Sequence, residues 1–338
     1  MIHGIRTRLR SLSLLLALCC AAMSAAQAEG RIRISEQHGI VYVLLHIARD
    51  QNLIQKHGQA LGQPIEVEWV RLSGGPAIND ALLSGSIDIA AAGIGPLLNI
   101  WDKTRGKLDV RGVASLGSFP NYLISHNPKV RGIEDFTDRD RIALPAAGTS
   151  VQARILQLAA ARKWGEANYR KLDALTLTLP HPDAAAAIIS NSPDITAHFA
   201  NSPFQEQELA ANPNAHIVLN SNDVLGGPSS ATVLYATERF RSRNPKTYAA
   251  FLAALQEAAQ IARQDPEAAA RAYLRATGAS TDKALLLSVL AQPEVRYDLA
   301  PRNTHVLAHF MYRVGAIQNE PRSWQDYFFA DDAVQGGS

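Results

Sequence analysis

From residue 31 onward the chain switches between two hydrophobic rhythms. Arg31 to Glu36, RIRISE, alternates apolar and polar positions and predicts a strand. Val41, Leu44, Leu45, Ala48 and Leu53 recur at helical spacing and predict a helix over 41–57, with Gly58 as its C-cap. A strand over 65–70 leads through Arg71-Leu72-Ser73-Gly74-Gly75 to Pro76, which suits a first helical turn. Gly85 ends that helix, and the run 87–92, apolar but for Asp88, predicts a strand covered on both faces. Gly93-Ile94-Gly95-Pro96 opens a helix through Trp101, and 110–116 and 122–125 read as strands. After a polar stretch to Asp140 the rhythm restarts: strand 141–146, helix 151–163, strand 175–179, short helix 203–211, and strands 216–219 and 231–236. Beyond Pro245 the spacing is helical over 248–263, 266–276, 283–291 and 306–314, with a late strand expected at 295–299.

One unit of this pattern occurs twice. Pro76 to Gly93 (PAINDALLSGSIDIAAAG) returns without gaps 106 residues later as Pro182 to Phe199 (PDAAAAIISNSPDITAHF). Each copy has a Pro opening a helix, a Ser-x-Ser turn, and Asp-Ile leading into a strand. Seven of the eighteen positions are identical, partly because both copies are Ala-rich. The repeat implies two similar α/β lobes, each a mostly parallel sheet flanked by helices, with a cleft between them. Crossings near 127 and 231 divide the chain into lobe 1 (29–126 and 231–338) and lobe 2 (127–230). Ligands of such sheets bind outside the carboxyl ends of the strands. That rule puts the loops 37–39, 73–75, 93–95, 148–151, 180–183 and 198–203 at the cleft.

The first 28 residues read as a secretory signal peptide and not as part of the fold. Arg6, Arg8 and Arg10 precede a short apolar run, Leu12 to Ala22, and Ala26-Gln27-Ala28 is a small-x-small cleavage site. Its removal takes away both cysteines, Cys19 and Cys20, and with them any disulfide, thiolate metal site or cysteine nucleophile. The whole-chain formal charge of +2 becomes about −1 once the three Arg are gone. A near-neutral exported chain without a basic face is a poor nucleic-acid binder. With 47% hydrophobic and 19% charged residues it can bury sizeable cores.

The chemistry suggested is that of binding. Ser73-Gly74-Gly75 and Gly148-Thr149-Ser150 each run into a helix N-terminus, where free N–H groups and a positive dipole end suit an oxyanion or carboxylate. Gln37 and His38 follow the first strand and can donate to a ligand. His181, just ahead of Pro182, can cap its helix or face the ligand. His198 and Phe199 stand at the strand end of the second copy, where the first has Ala92 and Gly93, and can hydrogen-bond and stack. On this reading Ser150→Ala and His198→Ala weaken binding with little loss of stability. His305 and His309 sit four apart on a helix, but no Glu follows His305 as a zincin requires, so no metal is assigned. No Walker A loop, GxGxxG turn or G-x-S-x-G elbow is present, and no catalytic residue or cofactor is assigned.

The runs QHGI, EVEWVRLSGGPAINDALLSGSIDIAAAGIGP, DRIALPAAGTSVQARIL and HPDAAAAIISNSPDITAHFANSPF resemble the solute-binding proteins of ABC importers, within the nitrate/sulfonate/taurine group. The resemblance spans nearly the whole mature chain. It implies a type II periplasmic-binding-protein fold that closes on a small anionic organic solute (sulfonate-, taurine- or nitrate-like). It also implies a soluble periplasmic monomer that delivers the solute to an inner-membrane permease and its ATPase. The family's ligand contacts fall here on Gln37, His38, Gly74, Gly75, Gly93, Ile94, Thr149 and Ser150. Ala197-His198-Phe199 departs from the aromatic-rich strand end of many relatives, and Arg71 is the nearest candidate for a cleft cation. A related branch makes a thiamin pyrimidine precursor with a Cys-rich iron motif, which a mature chain without Cys lacks. A third reading is a ligand-sensing partner of a sensor protein.

Overall fold

A computed structural model describes residues 29–338, so the signal-peptide reading and both cysteines lie outside the described residues. The chain first lays down β1 (Arg31–Glu36), α1 (Val43–Asp50), α2 (Leu53–Ala60), β2 (Glu66–Arg71), α3 (Gly75–Leu83), β3 (Ala90–Gly93), α4 (Ile94–Thr104) and β4 (Val110–Ser115). It then builds β5 (Tyr122–Ser125), β6 (Ile142–Leu144), α5 (Val151–Trp164), β7 (Thr176–Thr178), α6 (His181–Ile189), β8 (Ala197–Phe199), α7 (Phe204–Ala211), β9 (His216–Asn220) and α8 (Ser221–Leu225). It ends with β10 (Thr232–Thr237), α9 (Glu238–Arg243), α10 (Pro245–Gln264), α11 (Pro266–Thr277), α12 (Lys283–Leu290) and α13 (His305–Arg313).

The strands form two sheets of one design. In the second the order is β7-β6-β8-β5-β9, and only β5 runs antiparallel to its neighbours. In the first, β2 and β1 pair in parallel, and β10 lies antiparallel between β3 and β4. The pairs join through a parallel bridge between Ile34 and Ile89, where Ser35 N–H donates to Ile89 O at 2.9 Å. The resulting order, β2-β1-β3-β10-β4, matches the second sheet place for place. The antiparallel strand is the fourth in each sheet. β5 enters from the first sheet and β10 from the second, so each arrives against the direction of its hosts. The two copies of the repeated unit, α3 with β3 and α6 with β8, occupy the same third place.

The fold is therefore two-lobed α/β, and each sheet has four strands in one direction and one opposed. β5 pairs with β8 and β9, so the chain leaves the first sheet between Ser115 and Tyr122, ahead of the polar break near 127. The single helix expected over 41–57 is two, because Asn52 adopts a left-handed conformation (φ 52°) between α1 and α2. Gly58 lies inside α2 and is not its cap. A Cβ there would stand 2.6 Å from Gln63 O and from Ile65 Cδ1. The late strand at 295–299 is not formed: the segment makes one isolated bridge, Arg296 with Ser118 beyond the end of β4, and Leu299 O accepts from Ser115 N–H at 2.7 Å, without a continuous ladder. α10 and α11 cover α1 and α2. No helix among the described residues is long and apolar enough to cross a membrane.

Candidate functional site

Between the lobes lies a cavity of about 30 Å³, a space measured in single water molecules. The first lobe lines it with Gln37, His38, Tyr42, Gly75, Gly93, Pro96 and Thr232. The second contributes Pro145, Ser150, Val151, Gln152, His181 and Asn201, and Asn121 reaches it from the crossing. Each of the six loops assigned to strand ends supplies part of this wall.

The helix starts explain the arrangement. α3, α4, α5 and α6 begin at Gly75, Ile94, Val151 and His181, and each start, or the residue before it, is at the cavity. First-turn N–H groups have no partner within their own helix, and the helix dipole adds positive potential there. Two helices come from each lobe, so four N-termini stand around one point. Glycines permit the approach. Gly74 holds φ 81°, with Pro145 O only 2.9 Å from where a Cβ would sit. A Cβ on Gly93 would stand 2.8 Å from Val151 Cβ. Ile40 N–H donates to Ser202 O across the cleft at 2.9 Å.

The polar wall is held from behind. Gln37 accepts from Gly74 N–H at 2.9 Å and donates to the Tyr42 hydroxyl at 3.0 Å. Ser150 caps α5 by accepting from Ala153 N–H at 3.2 Å. Gln152 donates to Asn121 Oδ1 at 3.2 Å. Among the described residues no Lys or Arg lines the cavity. Burial, aided by Arg71, lowers the pKa of His38. Burial, then the neighbouring His198 and His38, holds His181 well below the usual histidine value. The electropositive character of the site thus comes from backbone and helix dipoles, and its two imidazoles are neutral at pH 7.

Of the residues singled out by sequence, Gln37, His38, Gly75, Gly93, Ser150 and His181 meet at the cavity. Five do not line it. Gly74 spends its N–H on Gln37. Ile94 is buried and gives its N–H to Ala231 O at 2.9 Å. Thr149 turns its hydroxyl into the protein, where it has no partner. Phe199 is fully buried in the core, and His198 lies behind His181 instead of at the surface of the cleft. Strand alternation explains the last pair, since side chains at a strand end point into the layers flanking the sheet. Arg71 turns from the cleft to Glu36 Oε1, at 3.0 Å. His305 and His309 stack with ring centroids 5.8 Å apart, and no metal-binding group of three or more His, Cys, Asp or Glu occurs among the described residues. Asn121, Gln152 and Asn201 were not singled out. Asn201 lies within the 198–203 loop placed at the cleft and Gln152 directly follows another, a signal that was available, whereas Asn121 lies in a crossing with no local signature.

A model of the NMT1-like family matches residues 41–277. No curated protein sequence matches the chain. Among solved structures, the alkanesulfonate-binding protein SsuA from Xanthomonas axonopodis pv. citri, bound to MOPS, superposes with a TM-score of 0.67 at 19% identity, covering 87% of this chain and 96% of that one. The nitrate-binding protein NrtA from Synechocystis PCC 6803 gives 0.68 at 16% identity, covering 88% and 84%. The aliphatic sulphonate binding protein SsuA from Escherichia coli gives 0.63 at 18% identity, covering 89% and 100%. At these identities the likeness establishes the two-lobe periplasmic-binding-protein fold.

Proposed function

The chain belongs to the NMT1-like family, and from that premise we propose that it is the periplasmic solute-binding component of an ABC importer. It closes by hinge motion on a small oxygen-rich anion, sulfonate- or nitrate-like, and presents the closed form to a permease as a monomer. The observation that carries this reading is the convergence of four helix N-termini, two from each lobe, on one interlobe cavity. Helix ends hold anions without a buried cation, so no Lys or Arg is required there. The names of the structural relatives support the ligand class and the periplasmic location, and residues 1–28 supply the export signal on this reading. We take the two sheets as the cores of the lobes and the segments 116–121 and 221–231 as the hinge.

Thermal unfolding tests the proposal against nitrate, ethanesulfonate, taurine, MOPS, acetate and a hydroxymethylpyrimidine. A ligand at a hundredfold excess over its Kd adds about 2.7 kcal/mol of stability and raises Tm accordingly. A panel without any shift overturns the ligand class. The second reading, an enzyme that uses a cavity histidine, rests on the neutral His38 and His181. It requires conversion of the pyrimidine, which mass spectrometry of the incubated mixture would detect.

A further inference from the structure

Behind the cavity wall three buried side chains form a line. His181 Nδ1 lies 2.8 Å from His198 Nε2, and His198 Nδ1 lies 2.5 Å from Glu208 Oε1. His198 and Glu208 are wholly buried, and of the three only His181 lines the cavity. A neutral imidazole carries one N–H, so with both rings neutral the line can be satisfied in two ways. If Glu208 is ionised, it accepts from His198 Nδ1–H, His198 Nε2 accepts from His181 Nδ1–H, and His181 turns a bare Nε2 to the cavity. If Glu208 holds a proton, its hydroxyl donates to His198 Nδ1, His198 Nε2–H donates to His181 Nδ1, and His181 shows an Nε2–H.

The surroundings select the second arrangement. Glu208 Oε2 is buried without a hydrogen-bond partner. A bare anionic oxygen in a dry interior costs far more than the carbonyl oxygen of a neutral acid. The elements packed against α7 are α6, β5 and β8, whose titratable groups are His181, Asp183, Tyr122 and His198 itself, and Gln207 of α7 also donates to the Thr281 hydroxyl. Glu206 sits on α7 itself and bonds Ser202 and Gln205, and His38 faces His181 from the other lobe. None of these is a fixed cation. Burial accordingly pushes Glu208 up to about 9 and His198 down to about 3. At the cavity end, Gln152 Nε2 stands 3.4 Å from His181 Nε2, a long hydrogen bond that the amide can donate only to a bare ring nitrogen and that the second arrangement gives up. Two donors then face one point, and an acceptor oxygen satisfies both.

We propose that Glu208 is a positioning residue that, through His198, makes His181 a hydrogen-bond donor, so that His181 and Gln152 together hold an acceptor oxygen of the ligand. The inference deepens the solute-binding reading and rests on it for the ligand. It supplies a specificity rule: a ligand must bring an oxygen acceptor to this wall, and one that presents only a donor there is rejected.

Nitrogen-15 spectra of the histidine rings read the tautomers without any ligand. At pH 7 both His181 and His198 are expected to carry their proton on Nε2, and both shift together to Nδ1 as pH rises through about 9. Glu208→Gln keeps a donor N–H beside His198 and has no proton to lose, so the Nε2–H pattern should persist at alkaline pH. In calorimetry with nitrate, ethanesulfonate and MOPS, wild-type affinity should fall roughly tenfold per pH unit above 9, and that fall should vanish in Glu208→Gln. Glu208→Leu, which removes the donor, should lose affinity at pH 7 as well. An Nδ1–H or doubly protonated His181 at pH 7 overturns the proposal, as does a Glu208→Gln protein whose rings still change between pH 7 and 10. If none of the three probes binds, the ligand class fails, while the tautomer spectra decide the role of Glu208 by themselves.

Discussion

Ser150 and His198 look alike in the sequence, as polar residues at loop ends, yet the structure gives them different work. Ser150 lines the cavity and caps α5. Ser150→Ala is therefore expected to cost about 1 kcal/mol in urea unfolding, the usual worth of an N-cap. His198→Ala removes the middle of a buried chain and leaves His181 and Glu208 without partners. It should cost about 1–3 kcal/mol for each buried group left unpaired, against the small loss expected from sequence. The same groups set a pH dependence. His46 and His198 are held at about 3 by burial, and His181 well below 6.5. The unfolded chain takes up these protons near 6.5 while the native state refuses them, so their contribution is intact above 6.5 and is lost as pH falls toward 3. Glu208 acts in the opposite sense. The native state keeps its proton from 4.5 up to about 9, so stability declines as pH rises across that window. These four groups together favour the native state most near pH 6.5, which denaturant midpoints measured from pH 4 to 9 will check.

At the scale of elements, α2 sets propensity against packing. Gly58 inside a helix costs about 1 kcal/mol relative to Ala, so Gly58→Ala gains that much on propensity alone. The new Cβ would stand 2.6 Å from the carbonyl oxygen of Gln63, a backbone atom that cannot move without shifting the lead-in to β2. Overpacking of that kind costs about 1–3 kcal/mol. The net sign should be destabilising, measured as a lower urea midpoint at unchanged m-value. The echo of α3–β3 by α6–β8 was legible because an opening Pro, a Ser turn and an Asp-Ile strand entry are local signals. The break at Asn52 was not, because apolar spacing continues across it from Leu45 to Leu53 and only the backbone conformation reveals two helices.

For the whole molecule, the decisive contacts are those that cross the cleft. Gly93 and Val151 stand against each other across the cleft, so the proposed closure would make this contact and opening would break it. Gly93→Ala should leave the unfolding midpoint of the free protein near that of wild type and weaken ligand binding. In small-angle scattering with ligand present, the variant should keep a larger radius of gyration than wild type. A variant as compact as wild type under ligand would remove Gly93 from the closing contact. The Arg313–Glu166 pair, with α13 packed on α5, is half exposed at both ends. Arg313→Ala is expected to change stability by less than about 1 kcal/mol.

Local chemistry wrote much of this protein into its sequence. Strand and helix periods, prolines at helix starts and glycines before them were enough to specify two α/β lobes and the six loops that form the cavity wall. Six of the eleven proposed site residues reach that wall because they sit at helix starts or directly after strands, positions that topology brings to the cleft. What sequence did not decide was direction. His198 and Phe199 point into the layers behind the wall, Arg71 folds back onto Glu36, and Asn121 arrives from a crossing. Those outcomes depend on which buried groups find partners once the sheets are packed, a condition set by residues distant in the chain. The His181–His198–Glu208 line belongs to this class, since its members come from α6, β8 and α7 and meet only in the folded lobe.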